Sequence, residues 1–390
     1  MNNASKRLPR ISGLQFGTMV TAGYMAMGVF YFPRELVTSA GRDGIWGLWL
    51  DGLVTFALMG LSFTMSRMVP NETFGQFSSQ LLSKPVGVVL GLVTIAYHLL
   101  LAVVMVVEFT SLFDNDFLSG TPAWVIMGSL MIASLYMAWF GAATLARVLQ
   151  AGYIPMVVLS VLTLALAGTV IKHPVLLVPP VNIQLLPLLQ GSYRQYFIFI
   201  GFEVSITLYP FIRNEDRRLG ELYAYGGLAS MIGILTVMYE VSIATFGPAY
   251  IPLMRWPMVT LMRLVEISGF FIDKWGSLVI VLWTVAVLGF MAVRLWCTAH
   301  DLAALFFIRS VGSYRYLLLP VTVVVWIVAI LVPNAAISDY ITQQYLVPIG
   351  LVYLGTIPLL TITVGLLRKK TVRELRVRTE AQATPGSPPE

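Results

Sequence analysis

The chain has 390 residues, of which 57% are hydrophobic and 11% are charged, and its formal net charge is +6. Soluble domains carry about 25% charged residues, so this composition excludes a soluble protein and indicates a membrane protein. A single cysteine excludes an internal disulfide framework, three scattered histidines give no metal-ligand spacing, and no phosphate-binding loop or nucleophile motif occurs, so we expect no enzymatic activity, no cofactor and no metal.

The chain is expected to cross the membrane ten times. A hydrocarbon core of about 30 Å needs roughly 20 apolar residues in a helix, and lipid offers the backbone no other hydrogen-bond partner. The predicted spans are 11–38, 44–67, 85–113, 122–139, 142–170, 193–211, 219–247, 275–308, 314–332 and 341–367. They form one membrane domain over 11–367, preceded by the short segment 1–10 and followed by a basic and then disordered tail, 368–390.

Two stretches between the spans differ from ordinary loops. Residues 174–192 contain four prolines, so a continuous helix is not expected there. Residues 257–272 are too short to cross the membrane, but their apolar side chains recur at helical spacing. These side chains are Met258, Leu261, Met262 and Val265. This spacing predicts a short helix that lies along the membrane surface.

Lysine and arginine are distributed unevenly between the two sides of the predicted spans. If the N-terminus is cytoplasmic, 17 basic residues lie on the inner side and 7 on the outer side. The positive-inside rule therefore predicts that both termini are cytoplasmic. The same pattern accounts for the net positive charge without nucleic acid as a partner. The basic residues after position 367 predict a stop-transfer anchor, with contact to anionic membrane lipid as the alternative.

The first and sixth predicted spans share a local pattern. Gly23-Tyr24 precedes Tyr31-Phe32-Pro33 in the first span, and Gly201-Phe202 precedes Leu208-Tyr209-Pro210 in the sixth. Ten spans divide into two groups of five, and an odd number makes the second group enter from the opposite side. The sequence thus predicts an all-α polytopic membrane protein of five-plus-five inverted repeats, in which the interrupted first and sixth helices form a binding site near the midplane.

Five short segments carry a resemblance to a known family. They are ISGLQFG (11–17), FPREL (32–36), AGRDGIW (40–46), TPAWVI (121–126) and GFE (201–203). In this order they resemble the permease-like B subunit of bacterial endospore germinant receptors, within the amino-acid/polyamine/cation transporter superfamily. The resemblance implies the same fold, a place in the spore inner membrane and a role in sensing a small nutrient, often an amino acid. It also implies two partners, a lipoprotein-like subunit and a larger membrane subunit.

The expected ligand contacts in the first span are Thr21, Gly23 and Tyr24. Glycines in a membrane helix either allow close helix packing or mark an unwound segment whose free backbone groups bind a ligand. The repeat and the resemblance favour an unwound segment at these residues. In the third span, Tyr97, Leu101 and Val104 share one helix face. This face is either ordinary packing or a wall of the central site, which the superfamily fold borders with this span.

Glu203 is the strongest single candidate for a functional side chain. It lies ten residues into its predicted span, where an acidic residue costs around 2.5–3.5 kcal/mol. Its carboxyl group would bind a ligand ammonium or carry a proton, with a helix-to-helix hydrogen bond as the structural alternative. Gly201 and Phe202 complete the expected contacts in this span. Glu240 is a second candidate for a proton or ion path.

Four other polar residues within the spans are expected to have structural roles. Asp51 and Glu108 lie near helix ends, where a carboxylate reaches the interface or water, and Arg294 is expected to snorkel to the inner interface. An inward-pointing Arg294 would instead oppose a sodium site. His98 is expected to have its hydrogen bonds satisfied or to lie at the interface, with a proton relay as the alternative.

The patterns and the resemblance together favour a nutrient-sensing, permease-like receptor subunit that binds a small amino-acid-like germinant near the membrane midplane. Two alternatives stay open. One is a proton-coupled amino-acid permease that moves its substrate, and the other is an ion- or water-conducting membrane subunit without a nutrient pocket.

Overall fold

The structure is a computed structural model that describes residues 10–26, 28–178, 183–265, 275–306 and 313–383. Helices account for nearly all of the regular structure in these ranges. They are α1 (Gly13–Ala26), α2 (Phe32–Ala40), α3 (Gly44–Ser66), α4 (Phe74–Leu81), α5 (Lys84–Asp116), α6 (Ala123–Trp139), α7 (Ala142–Ala167), α8 (Leu185–Gln195), α9 (Val204–Leu208), α10 (Arg217–Phe246), α11 (Pro257–Leu264), α12 (Trp275–Leu305), α13 (Tyr314–Leu331), α14 (Ala335–Ile341), α15 (Val347–Leu367) and α16 (Lys369–Ala383).

The long helices are membrane helices by length and composition. Within the described residues, seven helical segments are long and apolar enough to cross a membrane, and α6 is a shorter apolar helix. The halves of the interrupted helices are each too short to be recognised alone, because about 20 residues are needed to span the hydrocarbon core. The all-α polytopic class is confirmed, and the count of ten spans stays a prediction.

Two helices are interrupted, as the repeat predicted. The first break separates α1 from α2 and contains Gly28 at φ +63°, a backbone conformation that favours glycine. Pro33 then lies in the first turn of α2, where its missing N–H leaves no hydrogen bond unmade. The prediction of an unwound segment at Thr21–Tyr24 is therefore wrong, because these residues belong to the uninterrupted α1. The second break separates α8 from α9.

α1 crosses the second break in direct backbone contact. A Cβ atom added to Gly23 would lie 2.5 Å from the carbonyl oxygen of Gly201, and one added to Gly201 would lie 2.7 Å from the carbonyl carbon of Gly23. Gly23 thus serves close helix packing. Thr21 also has a packing role, because its hydroxyl donates to the Gly17 carbonyl at 2.8 Å and lies against Gly227 of α10.

The face of the bundle that holds the start of α1, the N-terminal face, is closed by short contacts. The Ile11 N–H donates to the Phe211 carbonyl at 2.8 Å. This bond joins the residues just before α1 to the end of the sixth predicted span, just after α9. Arg67, after α3, forms an ion pair with Glu221 of α10. Glu221 also accepts a hydrogen bond from the Tyr209 hydroxyl at 2.8 Å. A molecule could enter the interior of the bundle from this side only if these contacts separate.

The opposite face is covered by α11. Met258 and Leu261 are fully buried against neighbouring helices, and the Met258 N–H donates to the Phe30 carbonyl in the first break at 3.2 Å. The short helix predicted within 257–272 is present as α11. The prediction that its apolar stripe faces the membrane surface is wrong in the described part, because protein buries that stripe. Residues 266–272 lie outside the described residues.

The helix that leads into the second break begins earlier than predicted. It starts at Leu185 rather than at 193. Pro187 lies in its first turn, where proline is tolerated because the N–H groups have no partner inside the helix. The absence of a continuous helix over the whole of 174–192 agrees with the prediction, since Pro174–Leu177 forms only a short 3-10 turn.

The basic segment after the last span is a helix. α16 lies against α4 and α15, buries Leu375, and its Arg376 donates to the Arg67 carbonyl at 2.7 Å. The final segment EAQATPGSPPE (380–390) was predicted to be disordered, and this prediction is wrong up to Ala383, because α16 continues to that residue. Residues 384–390 lie outside the described residues.

Candidate ligand site

The centre of the bundle holds a buried ion pair. Glu203 is the last residue of the second break, and its side chain is fully buried. Arg294 on α12 is only 1% exposed, and its Nη2 donates to Glu203 Oε1 at 2.5 Å. The prediction that Arg294 snorkels to the interface is therefore wrong. Because a buried charge is costly without a counter-charge, the two residues point inward and pair with each other.

The pair leaves several polar atoms without a hydrogen-bond partner among the described residues. They are Glu203 Oε2, Arg294 Nε and Ser205 Oγ, together with both ring nitrogens of His98 on α5. His98 is fully buried and within electrostatic range of both charges. The expectation that His98 is satisfied or interfacial is wrong. Each such orphaned group costs about 1–3 kcal/mol, so the cluster has free capacity to bind a polar ligand.

Aromatic side chains surround the ion pair. The Arg294 guanidinium lies 3.3 Å from the centroid of the Phe290 ring. Tyr97 of α5 and Tyr353 of α15 have ring centroids 5.2 Å apart, and both are within electrostatic range of the Glu203 carboxylate. Tyr24 of α1 is fully buried and also lies within electrostatic range of the Glu203 carboxylate. The site is thus an ion pair in an aromatic environment of low polarity, formed by side chains of α1, α5, α12 and α15.

The remaining predicted contacts are buried residues of the second break and of α5. Phe202 is buried in the second break, and its carbonyl accepts a hydrogen bond from the Ser205 N–H at 2.9 Å. Leu101 and Val104 are also buried, one and two turns beyond Tyr97 on the same face of α5. The structure therefore brings Tyr24, Tyr97 and Glu203 together, whereas Leu101 and Val104 continue the wall away from the charges.

Glu240 is not part of this cluster. It is half-buried on α10, less than two turns from Phe246 at the helix end. Its neighbour Tyr239 donates its hydroxyl to the Gly41 carbonyl at the end of α2, and the charged group in electrostatic range of Glu240 is Arg42. The structure thus separates the two candidates for a proton or ion path.

Asp51 has a structural role that differs from the expected one. It is 3% exposed and accepts hydrogen bonds from the Ser192 hydroxyl and the Gln195 side-chain amide. These bonds join α3 to α8 inside the bundle, so Asp51 does not reach water. Glu108 also fails to reach the interface, since it is only 7% exposed.

Sequence reasoning missed Arg294 and His98 as members of the site. For Arg294 a signal was present, because an intramembrane charge is usually paired and Glu203 was the deepest acid of opposite sign. For His98 the one signal was its position beside Tyr97. Within the described residues no group of three or more His, Cys, Asp or Glu is arranged to hold a metal ion. The cation that pairs with Glu203 in the structure is the Arg294 side chain.

Comparison with known proteins identifies the family. A family model described as "Spore germination protein" matches residues 10–337, most of the chain. The chain belongs to the spore germination protein family. Spore germination protein YndE of Bacillus subtilis (strain 168) is 24% identical over 90% of this chain and 96% of its own length. Spore germination protein GerLB of Bacillus cereus is 21% identical over 92% and 95%, respectively.

The fold has a counterpart among solved structures. MhsT, in a crystal structure in complex with L-phenylalanine, superposes with a TM-score of 0.55 at 14% sequence identity, over 94% of this chain and 98% of that one. At this identity the likeness concerns the fold alone. The family and the fold together make this spore germination protein a permease- or receptor-like multi-pass membrane protein rather than an enzyme.

Proposed function

We propose that this spore germination protein is the nutrient-recognising subunit of a germination receptor and that its central site binds a small amino-acid-like molecule. One observation carries the proposal. Glu203 of the second break and Arg294 of α12 form a buried ion pair, and each keeps a buried polar atom without a partner among the described residues. Membership of a germination family supports the receptor role, and the L-phenylalanine complex of MhsT supports a ligand of this kind.

An amino acid matches the open positions of the cluster because it carries both charges. Its ammonium group would donate to Glu203 Oε2, and its carboxylate would accept from Arg294 Nε. The two ring nitrogens of His98 add a donor and an acceptor. Hydrogen bonds to charged groups contribute about 1.5–3 kcal/mol each. Tyr24 and Tyr97 would then surround a small side chain.

Binding at this depth must be linked to a change of conformation. The Arg67–Glu221 ion pair closes the N-terminal face and α11 covers the opposite one, so the ligand needs one face to open. A ligand shifts such an equilibrium only by its difference in affinity for the two states. In a receptor, partner subunits would respond to this shift. In a permease, the same shift would release the substrate on the other side.

We assign the chain to the spore inner membrane, with both termini in the cytoplasm and with a lipoprotein-like and a larger membrane subunit as partners. The germination relatives and the 17-to-7 excess of basic residues support this arrangement. Leu253, in the short 3-10 turn that precedes α11, is 79% exposed. In a Cys297→Ser background, a thiol reagent added outside should label Leu253→Cys and not Arg373→Cys. The reverse pattern would overturn the orientation.

The central test measures binding and uptake separately in the full-length protein. Vesicles with reconstituted protein are titrated with a panel of radiolabelled L-amino acids. We expect saturable binding of one or a few of them without accumulation inside the vesicles. Glu203→Gln keeps the size of the side chain and removes its charge, so it should weaken binding at least tenfold, equivalent to about 1.4 kcal/mol. Glu374→Gln on the exposed side of α16 is the matched control.

The same experiment separates the alternatives. Accumulation driven by a proton gradient would favour the proton-coupled permease. Ion or water flux without any dependence on amino acids would favour the conducting subunit. Binding that is equal in the wild type and in Glu203→Gln would contradict the assignment of the ligand to the central site.

A further inference from the structure

Three carboxylates from different helices lie around the first break. They are Glu35 on α2, Glu108 on α5 and Asp339 on α14, and we name them the outer acidic cluster. Tyr31, the last residue of the break, is within electrostatic range of all three. The cluster is separate from the central ion pair, because Glu108 lies eleven residues beyond Tyr97 on α5, or about 16 Å along the helix.

The outer acidic cluster is not neutralised by direct contacts. None of its three carboxylates forms an ion pair within 4.0 Å in the part of the chain that the structure describes. Glu108 is only 7% exposed. The Ser338 hydroxyl lies beside its carboxylate, but neither carboxylate oxygen makes a hydrogen bond of full geometry with the described residues. Its electrostatic neighbours include Asp339 and Glu35, so this unpartnered side chain points into the cluster. A buried charge without a partner is strongly unfavourable.

Further unpaired acceptors lie on the helix that carries Asp339. The hydroxyl groups of Ser338 and Thr342 are almost fully buried. The Ser338 hydroxyl lies beside Glu108, and neither hydroxyl makes a hydrogen bond of full geometry with the described residues. Thr342 also begins a π-helical segment that ends at Leu346, between α14 and α15. Such π segments inside α-helices occur frequently at functional sites. This segment also contributes Gln343, whose amide donates to Glu35 at 3.1 Å.

Arg255, in the loop before α11, does not form an ion pair with any carboxylate of the cluster. Arg255, just before α11, is half-buried and within electrostatic range of Glu108 and Asp339. Its guanidinium stacks on the Trp256 ring with 5.2 Å to the centroid, and its Nε has no partner in the described part of the chain. Arg34 and Arg194 are further cations in range of Glu35. None of these is held to a cluster carboxylate, so a ligand can take that place.

The surroundings of the carboxylates indicate the kind of cation. No group of three or more His, Cys, Asp or Glu among the described residues is arranged to hold a metal ion. A primary ammonium group has three N–H donors, which can bond to carboxylate and hydroxyl oxygens together. Aromatic rings line the same place, since the Tyr31 ring meets the Trp256 ring edge-on at 5.6 Å. Carboxylates next to aromatic faces are suited to organic ammonium groups.

We propose that the outer acidic cluster is a second binding site, for the primary ammonium group of an organic ligand. The ammonium group donates hydrogen bonds to Glu108, Asp339 and the Ser338 hydroxyl and displaces the Arg255 guanidinium toward solvent. The cluster lies at the face that α11 covers, so an amine meets it before it reaches the central ion pair. This site does not depend on the proposed function of the Glu203–Arg294 pair.

The test uses n-butylammonium chloride as the probe on the purified full-length protein, with calorimetric titration as the readout. 1-Butanol, KCl and NaCl are the comparison solutes. We expect saturable binding of butylammonium, with butanol, potassium and sodium neither binding nor competing at equal concentration. Glu108→Gln and Asp339→Asn should each weaken binding at least tenfold. Asp114→Asn, on the same helix as Glu108, should bind within twofold of the wild type.

Two further variants keep the result independent of folding and of the central site. Ser338→Ala removes one small acceptor and should weaken binding about threefold, without loss of the folded protein in size-exclusion chromatography. Glu203→Gln should bind butylammonium as the wild type does. Equal binding by Glu108→Gln and the wild type would overturn the site, and so would displacement of butylammonium by potassium or sodium. Loss of binding in Glu203→Gln with retention in Glu108→Gln would place the amine in the centre and refute the second site.

Discussion

The two breaks occupy corresponding positions in the two repeats, yet different chemistry completes them. At the first break the protein itself satisfies the freed backbone groups. The Trp283 indole donates to the Met25 carbonyl at 3.1 Å, and the Met258 N–H donates to the Phe30 carbonyl. At the second break a charged side chain, Glu203, projects inward and leaves polar atoms open. The backbone of the first break is thus completed within the protein, with the proposed outer acidic cluster beside it, whereas the second break contributes a charged side chain to the proposed central ligand site.

The largest effect is expected where the two repeats touch. Gly23→Leu would put a side chain into the Gly201 backbone, since the first added atom already lies 2.5 Å from its carbonyl oxygen. Backbone atoms of two crossing helices cannot move aside as a flexible side chain can. We expect a loss of more than about 5 kcal/mol and no folded protein, measured as the amount of monodisperse protein after extraction.

The control for this prediction is Gly233→Leu on α10. Gly233 is exposed, and no atom lies within 4 Å of an added Cβ. This variant should be extracted in normal amounts. If Gly23→Leu is also extracted in normal amounts and folded, the close contact of the two repeats is not needed for the fold.

The second prediction separates charge pairing from ligand binding at the second break. Arg294→Met leaves the Glu203 carboxylate buried without its partner and should cost about 3–5 kcal/mol of stability. The double variant Glu203→Met and Arg294→Met replaces the pair by apolar side chains of similar volume. Such replacements are often neutral or stabilising, so the double variant should recover most of the loss. Thermal unfolding of the purified proteins measures both.

The double variant should nevertheless fail to bind the amino acid that the wild type binds. Recovery of stability without recovery of binding assigns the pair to function. If the double variant is as unstable as Arg294→Met, the pair is an integral part of the packing. If it binds the amino acid normally, the central pair is not the ligand site.

The sequence predicted the fold because its signals are local and repeated. Apolar runs of membrane length, and glycine and proline at matching places in two spans, are visible without knowledge of packing. The position of the first break was not visible in this way. Gly17, Gly23 and Gly28 all punctuate the same span, and only packing distinguishes Gly23, which contacts Gly201, from Gly28, which has the left-handed conformation.

The site was predicted in part for a related reason. The depth of Glu203 in an apolar run marked it as functional, since depth can be read from a single helix. The partner could not be read in this way, because Arg294 lies 91 positions away in the chain and its rotation about α12 depends on neighbouring helices. The sequence analysis therefore placed the Arg294 side chain at the membrane interface. Long basic side chains reach both an interface and an interior partner, and only the three-dimensional arrangement decides between them.

The smallest effect is expected at the first break, for Trp283→Phe. The phenyl ring keeps most of the packing against Phe30, whose ring centroid lies 4.5 Å from that of Trp283, but the Met25 carbonyl loses its donor. An unsatisfied buried carbonyl costs about 1–3 kcal/mol, so the midpoint of thermal unfolding should fall modestly. Ligand affinity should change less than threefold, in contrast to the tenfold loss in Glu203→Gln. Trp124→Phe on the exposed side of α6 controls for loss of an indole. A loss of affinity in Trp283→Phe as large as in Glu203→Gln would show that the first break also binds the ligand, and the contrast between the two breaks would then be wrong.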